Sequence, residues 1–127
     1  MEKPEHKNTI LVVDDHEDII AVLTMMLEQE GYRVQSASGS LKALKILGQE
    51  TPDLIILDIR MPEINGLEFL KRLKADPKTS SVPVMLVTAR IQYQEVLAGY
   101  NAKADHYLTK PFTKTQITTA VQFLLQK

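Results

Sequence analysis

Five short apolar runs rich in β-branched residues divide the chain, at residues 10–13, 32–37, 54–57, 84–87 and, more weakly, 104–108. Each has the length of a strand, and they are labelled β1 to β5 in that order. The runs at 10–13, 54–57 and 84–87 read ILVV, LIIL and VMLV. They lack polar alternation, which is the pattern of strands covered on both faces within a parallel sheet. Between the runs the apolar period changes to three and four. Ile20, Leu23 and Leu27 form one stripe, Leu41, Leu44 and Leu47 a second, and Leu67, Leu70 and Leu73 a third; Ile117, Ala120, Val121, Leu124 and Leu125 form the last. Each is the buried face of an amphipathic helix. The helices expected are α1 (16–30), α2 (from residue 40), α3 (to residue 76), α4 (91–100, the least periodic) and α5 (113–126). Gly31 stands where a left-handed C-cap would end α1, Ser40 is placed to cap α2, and Asp76-Pro77 closes α3.

Strand and helix in alternation specify an α/β fold with a parallel sheet, right-handed crossovers and helices on both faces. No repeat or linker divides the 127 residues. Residues 1–7 are expected as a polar N-terminal arm and 8–127 as one domain. With 15 Lys+Arg against 16 Asp+Glu the formal net charge is -1, so no global field draws the chain to nucleic acid or to an anionic membrane. Cysteine is absent, which removes disulfide scaffolds, thiolate metal sites and thiol nucleophiles. The polar start MEKPEHKN is unlike a signal peptide and no apolar run approaches the ~20 residues of a membrane span, so a soluble cytoplasmic protein is expected.

In open α/β sheets ligands sit beyond the carboxyl ends of the strands. That edge carries Asp14 and Asp15 after β1, Asp58 after β3, Thr88 and Ala89 after β4, and Lys110 before Pro111 after β5. Three carboxylates drawn together raise one another's pKa, and keeping them ionised near neutrality requires a cation. Mg²⁺ suits them: it prefers hard oxygens, uses one or two carboxylates, and leaves positions for water and phosphate oxygens. Lys110 would face the same anion from the other side, and Thr88 would donate a hydrogen bond to it. A carboxylate so placed can attack phosphorus to form an aspartyl phosphate.

Four ordered pieces, VVDD at 12–15, LDIRMPEINGLEFL at 57–70, VTA at 87–89 and YLTKPF at 107–112, resemble the receiver domains of two-component response regulators. The resemblance runs from about Asn8 onward. It implies a flavodoxin-like, doubly wound five-stranded parallel sheet in the order 2-1-3-4-5, with five helices on both faces. It implies Asp58 as phosphoacceptor, Asp15 as a direct Mg²⁺ ligand, Asp14 as an acid holding the metal through water, and the Arg60 backbone carbonyl as a further ligand. Thr88, with Ala89 beside it, and Lys110 take the phosphate-contacting and switch positions, and Tyr107 that of the aromatic whose rotamer follows phosphorylation. Met61, Pro62 and Gly66 match the loop after the acceptor, and the Lys110-Pro111 bond is expected to be cis. Arg60 and Arg90 occupy variable positions that in relatives tune the phosphoryl lifetime. The implied donor is a histidine kinase or histidine phosphotransfer protein. The implied output is an α4-β5-α5 protein-binding face read by an effector protein or output domain, without direct nucleic acid binding by this chain.

Each residue has a plainer reading. An acidic pair after a strand is often a helix cap, Thr88 a strand-end hydroxyl, Lys110 a solvated cation, Tyr107 a core aromatic, and the two arginines solvent-facing. The convergence of three acids and a lysine at three strand ends favours the functional reading. His6, His16 and His106 share no ligand spacing and are expected at the surface; His16 stands where relatives often carry another acid. Lys103 replaces the glycine common before Ala-Asp in relatives, which bears on the turn into β5. An aspartate-nucleophile phosphohydrolase is the enzymatic alternative, but it needs an Asp-x-Asp pair after β1, and here the pair is adjacent. A receiver fold used as an unphosphorylated interaction module is a further alternative. Neither dinucleotide nor P-loop glycine motifs occur.

Overall fold

Alternate residues of the central strands supply two separate cores. Leu11, Val13, Ile55, Leu57, Val84 and Leu86 pack with Ala43, Leu47, Phe69, Leu70 and Leu73 on one side of the sheet. Ile10, Val12, Leu54, Ile56, Met85 and Val87 pack with Leu23, Leu27, Ile117, Ala120 and Val121 on the other. This is the period of two expected of a strand, applied where both faces are covered, and it explains why the runs contain no polar residue. The computed structural model describes residues 8–59, 61, 64–88 and 104–126. Within them β1 (Thr9–Val13), β2 (Arg33–Ala37), β3 (Leu54–Asp58), β4 (Val84–Thr88) and β5 (His106–Thr109) form one parallel sheet ordered β2-β1-β3-β4-β5.

The described helices are α1 (Glu17–Gln29), α2 (Ser40–Leu47), α3 (Gly66–Ala75) and α5 (Lys114–Leu125); the expected α4 at 91–100 lies outside the described residues. The chain steps from β1 outward to β2, then back across β1 to β3. With crossovers of one hand, that reversal sends α1 and α2 over opposite faces. The core partition agrees: α1 and α5 share one layer, α2 and α3 the other. The reversal also parts the loops leaving β1 and β3, which opens a crevice at their carboxyl ends.

Local signals fix the joints. Gly31 has φ 93 and completes a C-cap in which Tyr32 N donates to Leu27 O at 3.2 Å and Gly31 N to Glu28 O at 3.0 Å. Asn65 caps α3 by accepting from Glu68 N at 3.0 Å, and Thr113 and Gln116 form a reciprocal capping box on α5. Ser40 is not the cap expected of it. Gly39 holds that position and Ser40 is already helical and buried, its hydroxyl accepting from Ile64 N at 3.3 Å across to the loop before α3.

Gly66 opens α3 directly against the end of β3. Its N–H donates to Ile59 O at 2.7 Å. A Cβ on Gly66 would overlap the Asp58 carbonyl oxygen and lie 2.6 Å from Ile59 Cα, both backbone groups that cannot swing aside. Gly48, at the end of α2, would place its Cβ at an ordinary 3.4 Å from Lys45 O. Gly66→Ala should therefore cost roughly 1–3 kcal/mol in urea unfolding through overpacking, whereas Gly48→Ala should stay within about 0.5 kcal/mol of the parent.

Candidate functional site

The crevice between the ends of β1 and β3 gathers the acids. Asp58 is the last residue of β3, and Asp14 and Asp15 follow β1 directly. Asp14 and Asp58 are buried, at 2% and 3% exposure, while Asp15 is partly open. Their position is dictated by register: Val13 pairs with Leu57, so the residues that follow meet at the same level of the sheet. Asp14 is further tied by its backbone N–H to Ala37 O at the end of β2.

Lys110 enters from β5. Its own N–H donates to Thr88 O at 2.7 Å, which joins the ends of β4 and β5, and the following bond to Pro111 is cis as the resemblance implied. From there Nζ reaches Asp14 Oδ2 at 2.8 Å and lies 3.7 Å from Asp58 Oδ2, with only 10% of the side chain exposed. Burying an ammonium among carboxylates is tolerable because each offsets the other's desolvation. One lysine still leaves the three acids with net negative charge, which is the condition for cation binding.

His16 joins this group. Its backbone N–H and its Nδ1 both approach Asp14 Oδ1, at 2.9 and 3.0 Å, and Nδ1 lies 3.1 Å from Asp15 Oδ1. The pKa of the ring is raised above its ordinary 6.5, first because Asp14 accepts its hydrogen bond and next through the charge of Asp15, against smaller opposing effects of desolvation and Lys110. Asp14, Asp15, His16 and Asp58 each offer a donor atom within 4.8 Å of the others. Three hard oxygens at this separation fit a small divalent cation.

Thr88 closes β4, is fully buried, and its hydroxyl has no hydrogen-bond partner among the described residues. Tyr107 is half-buried against the α2/α3 core, and Met61 is buried in that core. The structure thus brings Asp14, Asp15, Asp58 and Lys110 together as expected, with Thr88 beside them at the end of the neighbouring strand. Arg60, Pro62, Ala89, Arg90 and Lys103 lie outside the described residues, as does His6. His16 is exposed, as expected, yet it belongs to the acid cluster, and His106 in β5 is half-buried. Spacing between histidines could not reveal His16, because the other members of its cluster are the adjacent Asp14 and Asp15 and, from a second strand end, Asp58. The only signal was its adjacency to Asp15.

The imidazole proton is held more tightly in the folded chain than in the unfolded one. Its contribution to stability is therefore complete below pH 6.5 and is lost as pH rises through the folded midpoint. In an NMR titration of metal-free protein, the His16 midpoint should lie above 6.5 and should fall in Asp14→Asn.

Comparison with known proteins agrees with this arrangement. The family profile described as the response regulator receiver domain matches residues 10–122. The chain is 37% identical over 118 residues to the DNA-binding dual master transcriptional regulator RpaA of Synechocystis, covering 93% of this chain and 49% of that protein. It is equally similar, at 37% over 118 residues, to the alkaline phosphatase synthesis transcriptional regulatory protein PhoP of Bacillus subtilis, covering 93% of this chain and 48% of that one. The chain thus spans about half the length of these regulators. Among solved structures, the chemotaxis protein CheY4 of Vibrio cholerae superposes with a TM-score of 0.90 at 27% identity, covering 94% of this chain and 100% of that one. Sheet order, an acidic crevice at the β1/β3 reversal and the matched profile lead to one conclusion: the chain belongs to the response regulator receiver domains of two-component signalling.

Proposed function

We propose that Asp58 accepts a phosphoryl group from the phosphohistidine of a histidine kinase or histidine phosphotransfer protein, in a Mg²⁺-dependent transfer, and that the chain works as a switch and not as an enzyme. The observation that carries this reading is Lys110. A nearly buried ammonium, 2.8 Å from Asp14 and 3.7 Å from Asp58, is poised to exchange one carboxylate for a phosphoryl oxygen. Asp14, Asp15 and Asp58, with the Arg60 carbonyl assigned from the resemblance, would hold Mg²⁺. When bound, the metal supplies positive charge against the phosphate oxygens.

The Asp58 carboxylate attacks phosphorus in line with the donor imidazole. An O–P bond forms, the P–N bond breaks, and its electron pair leaves with the imidazole, which recovers a proton. Lys110 then moves from Asp14 toward one phosphoryl oxygen, and the Thr88 hydroxyl donates to another. Ala89, next in sequence, is assigned beside Thr88 from the resemblance alone. As Thr88 shifts, Tyr107 turns into the space beside it, and the α4-β5-α5 face changes for an effector protein or output domain. By the resemblance, Met61, Pro62, Gly66 and Pro111 are assigned to the loops around the acceptor, and Arg60 and Arg90 to tuning how long the phosphoryl group survives. On this reading the protein acts in the cytoplasm, with residues 8–127 as the functional unit. Among the described residues no helix is long and apolar enough to cross a membrane.

Incubated with a phosphohistidine donor and Mg²⁺, the parent should take up a label that hydroxylamine removes, as it does an acyl phosphate. Asp58→Asn should take up none, and labelling of the variant equal to the parent would move the acceptor elsewhere. Thr88→Val should separate stability from signalling. It replaces a buried hydroxyl that has no partner among the described residues with a methyl group of the same shape, so urea unfolding should show a gain of roughly 1 kcal/mol. The same variant, still labelled at Asp58, should lose the phosphorylation-dependent change in Tyr107 environment seen by fluorescence or NMR.

A further inference from the structure

The crevice holds one donor that the carboxylate chemistry does not require. His16 Nδ1 lies 3.0 Å from Asp14 Oδ1 and 3.1 Å from Asp15 Oδ1. A single ring proton on Nδ1 can point at one of these oxygens only. A cation on the nitrogen's lone pair would satisfy both.

The separations match a coordination shell. With bonds of about 2.1 Å, neighbouring donors of an octahedral ion are about 3 Å apart and opposite donors about 4.2 Å. The two His16 distances are those of neighbouring donors. The full set of Asp14, Asp15, His16 and Asp58 spans at most 4.8 Å, so the farthest pair need close by only about 0.6 Å. The carboxylates of Asp14 and Asp58 are fixed by burial, whereas the His16 side chain is 60% exposed and free to adjust. Lys110 already engages Asp14 Oδ2, while His16 meets the other oxygen, Oδ1.

Oxygen ligands alone suit Mg²⁺, while imidazole favours the later first-row ions. We infer that His16 is a nitrogen ligand of the divalent cation held by Asp14, Asp15 and Asp58, and that it biases this crevice toward imidazole-accepting ions such as Co²⁺ and Zn²⁺ relative to Mg²⁺. The inference rests on the reading of those three acids as metal ligands. It adds a residue to that site and a chemical class to the ions it takes.

The test compares Co²⁺ and Mg²⁺ affinities of the full chain, His16→Ala and Asp15→Asn by calorimetry near pH ~8, above the ordinary imidazole range. A parallel ¹⁵N spectrum of the parent follows its histidine rings as Zn²⁺ is added. The expected result is a loss of about tenfold in Co²⁺ affinity in His16→Ala, with Mg²⁺ affinity changed by less than about threefold. Zn²⁺ should shift Nδ1 of His16 ahead of the nitrogens of His6 and His106. If His16→Ala lowers both ions equally or neither, and Zn²⁺ leaves Nδ1 in place, the inference is overturned while Asp15-dependent Mg²⁺ binding keeps the carboxylate site standing. If binding of neither ion depends on Asp15, the inference and the site reading fall together.

Discussion

Mutual repulsion among three carboxylates is the constraint around which this domain is built. A sheet whose central strands are apolar on both faces delivers Asp14, Asp15 and Asp58 to one crevice, two of them almost wholly withdrawn from water. Such a set would be costly if left alone, because each buried charge loses hydration and gains only like neighbours. Lys110 answers part of that cost, and it can do so only because the ends of β4 and β5 are tied by the bond from Lys110 N to Thr88 O. On the proposed reading, the negative charge that remains would make the crevice a place for a cation and, with it, an incoming phosphoryl group.

Much of this was legible in the sequence, for identifiable reasons. Unbroken runs such as LIIL mark strands covered on both sides, and the residues just past them must fall at the sheet edge where ligands bind. Asp58 and Thr88 proved to be the last strand residues and not the first loop residues, a shift of one position that leaves them at the same edge. β2 was harder to delimit, since it is an edge strand whose side chains are mostly part-exposed, and Tyr32 lies outside it as part of the α1 cap.

What the sequence hid were relations set by approach in space. Ser40 has the chemistry of a cap, but Gly39, in an extended conformation, takes the position and frees the Ser40 hydroxyl to bond Ile64 N far along the chain. The caps at Asn65 and Thr113 were not read from the sequence, although a polar cap three residues before Glu or Gln is a pattern found at helix starts. Gly66 could be matched to a motif, but the reason for glycine there is a return of the folded chain onto the Asp58 carbonyl. His16 stood beside the acid pair in the sequence, and what the sheet adds is Asp58, which it brings to the same cluster from the end of β3.

The division of the interior into two cores bears on how any event at the crevice can spread. Odd-numbered residues of β3 and even-numbered residues of β4 serve the α2/α3 layer, and the alternate residues serve the α1/α5 layer. Side chains of the two layers are kept apart by the sheet backbone itself, a partition that is stiff and fully hydrogen-bonded along its length. By that alternation Asp58 belongs on the α1/α5 side of the partition and Thr88 on the other, where Tyr107 also packs. The ends of the strands are therefore the doorway between two rooms that otherwise share only a wall. A disturbance that begins beside Asp58 has its shortest way to the Tyr107 side around the carboxyl ends of β3, β4 and β5, where Asp58 and Thr88 are themselves buried, and the rest of the interior can stay still while it passes.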